Sequence, residues 1–147
     1  WILSIVALGA STGIFFAPGP WYDAVQKPAF NPPSWIFGPV WTALYVSMGV
    51  ALWLVRREQN ATPVLRSRAT RWFVAQFLLN LLWTPLFFGL RSPFLAVVDI
   101  ALLWLALVAT ILAFRRVRPL AAWLLLPYLA WVSFAAILNG SIWRLNL

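Results

Sequence analysis

Long apolar runs, each bounded by a proline or a charge, set the pattern of this chain. Five segments stand out, at about residues 1–16, 32–55, 69–90, 93–114 and 119–143. Their apolar positions run on continuously instead of alternating, which disfavours a barrel of strands and predicts helices. The four later segments are long enough to cross a hydrocarbon core, which needs about 20 residues. Asn31 followed by Pro32, and Ser92 followed by Pro93, read as helix starts, with a capping side chain and a first-turn proline whose missing N–H costs nothing. Pro39, Pro85 and Pro127 fall inside segments and are expected to bend them. The first segment is short and opens without Met, so further residues are expected before it.

Composition turns these helices into membrane spans. The chain of 147 residues is 63% hydrophobic and only 10% charged, with a mean hydropathy of +0.86. That leaves too few charges to coat a soluble domain. With no internal repeat or polar tail, the expectation is one all-α domain over 1–147, a multi-pass bundle of five transmembrane helices.

The formal charge of +8 is a topological signal. Arg56, Arg57, Arg66, Arg68 and Arg71 lie between the second and third segments, and Arg115, Arg116 and Arg118 between the fourth and fifth. The opposite side is nearly balanced, with Asp23, Lys27, Arg91 and Arg144. The positive-inside rule places the arginine-rich loops and the N-terminus in the cytoplasm. Short arginine clusters abutting helix ends do not make a nucleic-acid surface.

Depth locates a candidate site. Eleven tryptophans are present, and Trp72, Trp123 and Trp143 at segment ends need only the usual interfacial anchoring. Trp41, Trp83 and Trp131 fall well inside the segments, where indole N–H groups need partners. Counted from the weakly charged side, Trp41 lies roughly 14 Å deep, Tyr45 20 Å, Asn80 15 Å, Trp83 10 Å, Trp131 20 Å, Ala135 13 Å and Asp99 9 Å. Helical phase aligns Gln76, Asn80, Trp83 and Phe87 on one stripe, and Tyr128, Trp131, Ala135 and Leu138 on another. Such stripes also describe an ordinary core, and buried amides also serve as glue between helices. Asp99, an ionisable group within a span, is either a functional group or a bond to a neighbouring helix.

The loop from Ala17 to Ser34, APGPWYDAVQKPAFNPPS, is long for a connector and stiffened by five prolines. Lying over the aromatic slab, it reads as a Pro-rich lid, with Trp21 and Tyr22 either pointing down or forming part of the interfacial belt.

Three runs carry a family resemblance: WYDAVQKPAFNPPSWIFGPVWTALYVSMG, QFLLNLLWTPLFFG and PYLAWVSFAAILNGSIWRLN. In this order, and over nearly the whole chain, they resemble the tryptophan-rich sensory protein or translocator protein family, once called peripheral-type benzodiazepine receptors. The resemblance implies a five-helix bundle, commonly a homodimer. It further implies binding of porphyrins, sterols and isoquinoline or benzodiazepine ligands in a pocket beneath the first loop. The family's pocket tryptophans correspond to Trp41 and Trp131, which are implicated in the light-dependent porphyrin breakdown of some bacterial members. Tyr22, Phe37, Tyr45, Asn80, Trp83, Ala135 and Leu138 fall at the other matching pocket positions. Gly140 and Ser141 interrupt the sterol-recognition pattern between Leu138 and Arg144, which argues against tight sterol binding.

Side-chain chemistry narrows the function. Without Cys or His the chain has no thiolate or imidazole for metal ligation, haem axial ligation or nucleophilic catalysis. Asp23, Glu58 and Asp99 sit on different segments and form no acid/base pair. Neither a metal nor a resident cofactor is expected. What remains is the stacking of flat rings on a flat apolar ligand, with an amide to orient it. A receptor or sensor holding a porphyrin between Trp41 and Trp131, with Asn80 as polar handle, is the leading expectation; transport of porphyrin or sterol is the rival, though no inverted repeat supports it. Gly9 with Gly13, or Ala109 with Ala113, offers small-residue faces for dimerisation, the first pair being preferred.

Overall fold

The computed structural model describes residues 37–146, together with position 7. Helix α1 covers Phe37–Arg57, α2 Pro63–Thr84, α3 Pro93–Val117 and α4 Pro119–Leu145. The first expected segment, the loop at 17–34 and the Asn31 cap lie outside the described residues. Pro39 falls in the first described turn of α1.

Local chemistry explains each boundary. Arg56 and Arg57 occupy the last turn of α1, where cations complement the helix dipole. Thr62 caps α2, its hydroxyl accepting from the Leu65 amide at 3.2 Å, with Pro63 in the first turn. This helix therefore starts six residues before the expected position 69 and carries Arg66, Arg68 and Arg71 on its early turns, not in a loop. Arginine is a good helix former with an apolar stem, so a membrane boundary drawn at charges underestimates helix length. Helix α3 likewise runs past 114 through Arg115 and Arg116. Its start is as expected, with the Ser92 hydroxyl accepting from the Leu95 amide at 3.3 Å.

Pro85 does more than bend its segment. Lacking an N–H, it ends regular α-helix at Thr84, and Pro85–Gly89 form a π-helical turn. The wider turn closes through Leu90 N–H to the Pro85 carbonyl at 2.8 Å and Ser92 N–H to the Leu86 carbonyl at 3.1 Å. Arg91 then adopts φ 52°, which reverses the chain into α3. At the other end a single residue, Arg118, joins α3 to α4, its extended backbone donating to the Phe114 carbonyl at 2.7 Å. Pro127 lies within α4 without breaking it.

Consecutive helices are neighbours, and α1 closes the arrangement against α4. The four described helices thus form a square in which α2 and α4 face each other across the interior. Ala51, Ala69, Ala96 and Ala121 are fully buried and let backbones approach closely. Phe73 stacks on Phe77 at 5.9 Å and on Phe114 at 6.0 Å, filling the arginine-side end. Leu78, Leu102, Leu105, Leu112 and Ile137 point outward and are more than half exposed except Leu102 at 50%. That outer surface suits lipid and would be an aggregation patch in water.

Three of the helices are long and apolar enough to cross a membrane: Pro39–Arg57, Pro93–Val117 and Pro119–Leu145. The protein is an integral, all-helical membrane protein. Helix α2, with its arginines, Gln76 and Asn80, does not reach that apolarity by itself.

Gly140 lies in α4, and a methyl group built on it would meet nothing within 4 Å. Gly140→Ala is expected to keep the fold and raise stability by up to about 1 kcal/mol through helix propensity alone. Thermal unfolding in detergent, followed by circular dichroism, checks this; a lower midpoint would contradict it.

Candidate functional site

Inside the square of helices, polar side chains from three helices join in one chain of hydrogen bonds. The Tyr45 hydroxyl on α1 donates to Asn80 Oδ1 on α2 at 2.7 Å. Asn80 Nδ2 donates to the Tyr128 hydroxyl on α4 at 2.8 Å. That hydroxyl donates in turn to Gln76 Oε1, one helical turn before Asn80, at 2.9 Å. All four residues are buried, Tyr128 and Gln76 completely. The amide orientations are the ones that satisfy this network.

The aromatic rings are arranged on this frame. Trp41 stands one turn before Tyr45, with ring centroids 5.6 Å apart. It meets Tyr128 edge-on at 6.3 Å and Trp131 at 6.5 Å with planes 90° apart. Tyr45 is also edge-on to Phe77 at 6.3 Å. The two indoles expected to hold a ligand between them therefore meet each other at right angles. Both are only half-buried, whereas the phenols behind them are covered.

Of the residues expected to form one site, Trp41, Tyr45, Asn80 and Trp131 come together, with Ala135 half-buried against the same core. Leu138 belongs to a second cluster with Phe87, Ala96 and Ile142, and Trp83 packs against both clusters. Trp83 stacks on Phe87 at 5.0 Å and donates its indole N–H to Asn139 Oδ1 at 2.7 Å. Asn139 Nδ2 then donates to the Pro93 carbonyl at 3.1 Å, tying α4 to the start of α3. Phe37 begins α1, but its side chain, like the whole of Tyr22, lies outside the described residues.

Asp99 bonds no neighbouring helix among the described residues. It is 3% exposed, and among the described residues neither carboxyl oxygen has a hydrogen-bond partner; the same holds for Gln76 Nε2. Asn139 escaped the sequence reading, although an amide inside an apolar helix was a signal. The buried face of α4 includes Tyr128, Val132, Leu138 and Asn139, so Tyr128 and Leu138 of the stripe drawn from sequence lie on it, whereas Trp131 and Ala135 are half-buried. Trp104, also deep in its helix, donates to Ser133 Oγ at 2.9 Å and needs no ligand to satisfy it.

Comparison with known proteins gives the site its relatives. Residues 1–144 match the model of the TspO/MBR family. The chain belongs to that family. It is 46% identical over 143 residues to the tryptophan-rich protein TspO of Chlorobaculum tepidum, covering 91% of this chain and 86% of the relative. To the human translocator protein it is 41% identical over 143 residues, 95% of this chain and 85% of the relative. The tryptophan-rich sensory protein of Cereibacter sphaeroides is 37% identical over 137 residues, 93% and 84% of the two chains. This TspO/MBR member thus presents two half-buried indoles in front of a sealed network of phenols and amides.

Replacing the central amide tests that network. Asn80→Leu removes both of its bonds and is expected to cost about 1–2 kcal/mol, within the range for buried bonds between membrane helices. Tyr45→Phe removes one bond and should cost roughly half as much. Reversible unfolding of the purified variants in detergent measures both; equal stability of Asn80→Leu and the parent would show that the network does not hold the helices.

Proposed function

We propose that the protein is a membrane receptor or sensor that binds porphyrins and related flat apolar ligands against Trp41 and Trp131. The observation that carries this reading is the meeting of these two half-buried indoles from α1 and α4, braced from behind by Tyr45, Asn80 and Tyr128. Because the indole planes are perpendicular, a flat ring lies face-on to one and meets the edge of the other. Each aromatic pair is worth about 0.5–1.5 kcal/mol beyond area burial. Asn80 acts here as the brace that sets ring positions, since its carbonyl and amide are both engaged. With no His or Cys to ligate iron, the site favours porphyrins that are metal-free or already ligated. Under light, an excited porphyrin held here has two indoles at hand as electron donors, which accounts for the photodegradation that the resemblance implies.

The proposal includes a fifth helix preceding α1, the loop at 17–34 as a lid over the indoles, and a single domain of 147 residues assembled as a homodimer. The remaining expected pocket positions, Tyr22, Phe37, Trp83, Ala135 and Leu138, border the ligand in this reading. The arginine-rich ends face the cytoplasm. A binding role is favoured over transport because the interior is filled by Met48, Leu107, Leu125 and Val132, none of them accessible, which supports a packed bundle more than a conduit.

Titration of the purified protein with protoporphyrin, followed by absorbance and tryptophan quenching, is expected to saturate. The double substitution Trp41→Phe with Trp131→Phe should weaken binding by about tenfold, the loss of one to two aromatic contacts. Unchanged affinity would overturn the assignment. Protein-dependent porphyrin flux into liposomes would favour transport instead.

A further inference from the structure

The end of the bundle remote from the indoles is rich in arginine. A cleft of about 890 Å³ opens there, lined by Arg56, Arg57, Glu58, Asn60, Arg66 and Arg118 among others. Its walls come from the last turn of α1, the turn into α2, the first turns of α2 and the one-residue junction of α3 with α4. Four guanidinium-bearing residues face one carboxylate. From Trp41 to Arg57 is sixteen residues of one helix, roughly 24 Å, so no single small ligand touches both sites.

Two of the arginines are held in place by partners that leave their charge intact. Arg66 Nη1 donates to the Glu58 backbone carbonyl at 2.6 Å. The Arg57 guanidinium lies 4.3 Å above the centre of the Trp53 ring. Glu58 is committed elsewhere, its carboxylate accepting from the Asn60 amide at 3.1 Å and so fixing the turn. Among the described residues no arginine of the cleft forms an ion pair with a carboxylate. Two long helices, α2 and α4, also begin at this cleft, and α4 has no side chain capping its first turn. The positive dipole ends of α2 and α4 are offset there by the negative ends of α1 and α3, so the cleft's positive charge is that of its guanidinium groups.

Guanidinium charges gathered around one cleft, with one carboxylate among them, favour a multivalent counter-ion. Arginine forks bind phosphate oxygens in pairs, which an ammonium does not, and ten of the eleven basic residues here are arginine, Lys27 being the exception. Topology alone would be served equally by Arg68, Arg115 and Arg116, which do not line the cleft; convergence from three elements is what sets the four apart. We propose that this cleft is a binding site for a phosphate group carried by a ligand at the membrane surface, independent of the aromatic site.

The test uses the full chain purified in neutral detergent and in nanodiscs. Inorganic pyrophosphate is titrated calorimetrically, and retention of phosphatidic acid or phosphatidylglycerol against phosphatidylcholine is read by native mass spectrometry. Arg66→Ala with Arg118→Ala removes two cleft charges; Arg68→Ala with Arg115→Ala removes two outside it. The expected result is binding of at least one phosphate probe, weakened tenfold or more by the cleft pair and less than twofold by the outside pair, with protoporphyrin binding unchanged as the check on folding. Arg66→Lys, which keeps the charge and loses the fork, should fall between. Selective lipid retention without pyrophosphate binding identifies a headgroup, and pyrophosphate binding a soluble ligand; both support the site. Failure of both probes, or equal loss in the two pairs, overturns it.

Discussion

In a bilayer the protein must satisfy its own polar groups, because no water is available to do so. That constraint concentrates here in the Asn80 side chain, which meets a phenol from α1 on one side and a phenol from α4 on the other. The diagonal between α2 and α4 is spanned by these side chains and by the Trp83 bond to Asn139, not by close backbone packing. Two hydrogen-bonded levels therefore set the spacing of the square. Once Tyr45 and Tyr128 are anchored, Trp41 has little freedom: it must lie against both phenols and turn its edge to Trp131. The geometry of the candidate site is thus a by-product of polar satisfaction one layer deeper.

The apolar pattern made the helices legible because spans of lipid-facing leucines leave an unmistakable trace. Ser92 and Pro119 as start signals held to the residue. Trp41, Tyr45, Asn80 and Trp131, which rise per residue put in one slab, do come together in the structure. What failed was rotation and termini. The sequence stripe on α4 took Trp131 and left out Val132 and Asn139, each one residue from a position it included, and only packing shows that these two are covered more fully than Trp131. Charges were read as the end of α2, yet arginines continue a helix beyond the membrane boundary. The π-helical turn after Pro85 has no period of its own in sequence. Segments outside the described residues leave the lid and the first helix as expectations.

The two ends of the bundle now have different chemistry. One presents indole faces over a sealed polar interior. The other gathers guanidinium groups whose partners are a backbone carbonyl and an aromatic ring, so that their charge stays available. Asp99 belongs to neither end: buried on α3 without a bonding partner among the described residues, it is a polar group that the fold carries without any visible return.

The modest apolarity of α2 bears on how the protein reaches its bilayer. A translocon admits a segment according to its summed transfer free energy, and charged residues near a helix centre oppose entry by about 2.5–3.5 kcal/mol each. Helix α3, with a mean hydropathy of 2.6 over its apolar window, can carry Asp99 across that threshold alone. Helix α2 cannot rely on the same margin, and its two amides are at home in lipid only when Tyr45 and Tyr128 are already in reach. Since Tyr128 is made last, on α4, the hydrogen bonds that keep α2 in the membrane are completed after its own synthesis. Insertion and tertiary folding are then coupled for this helix.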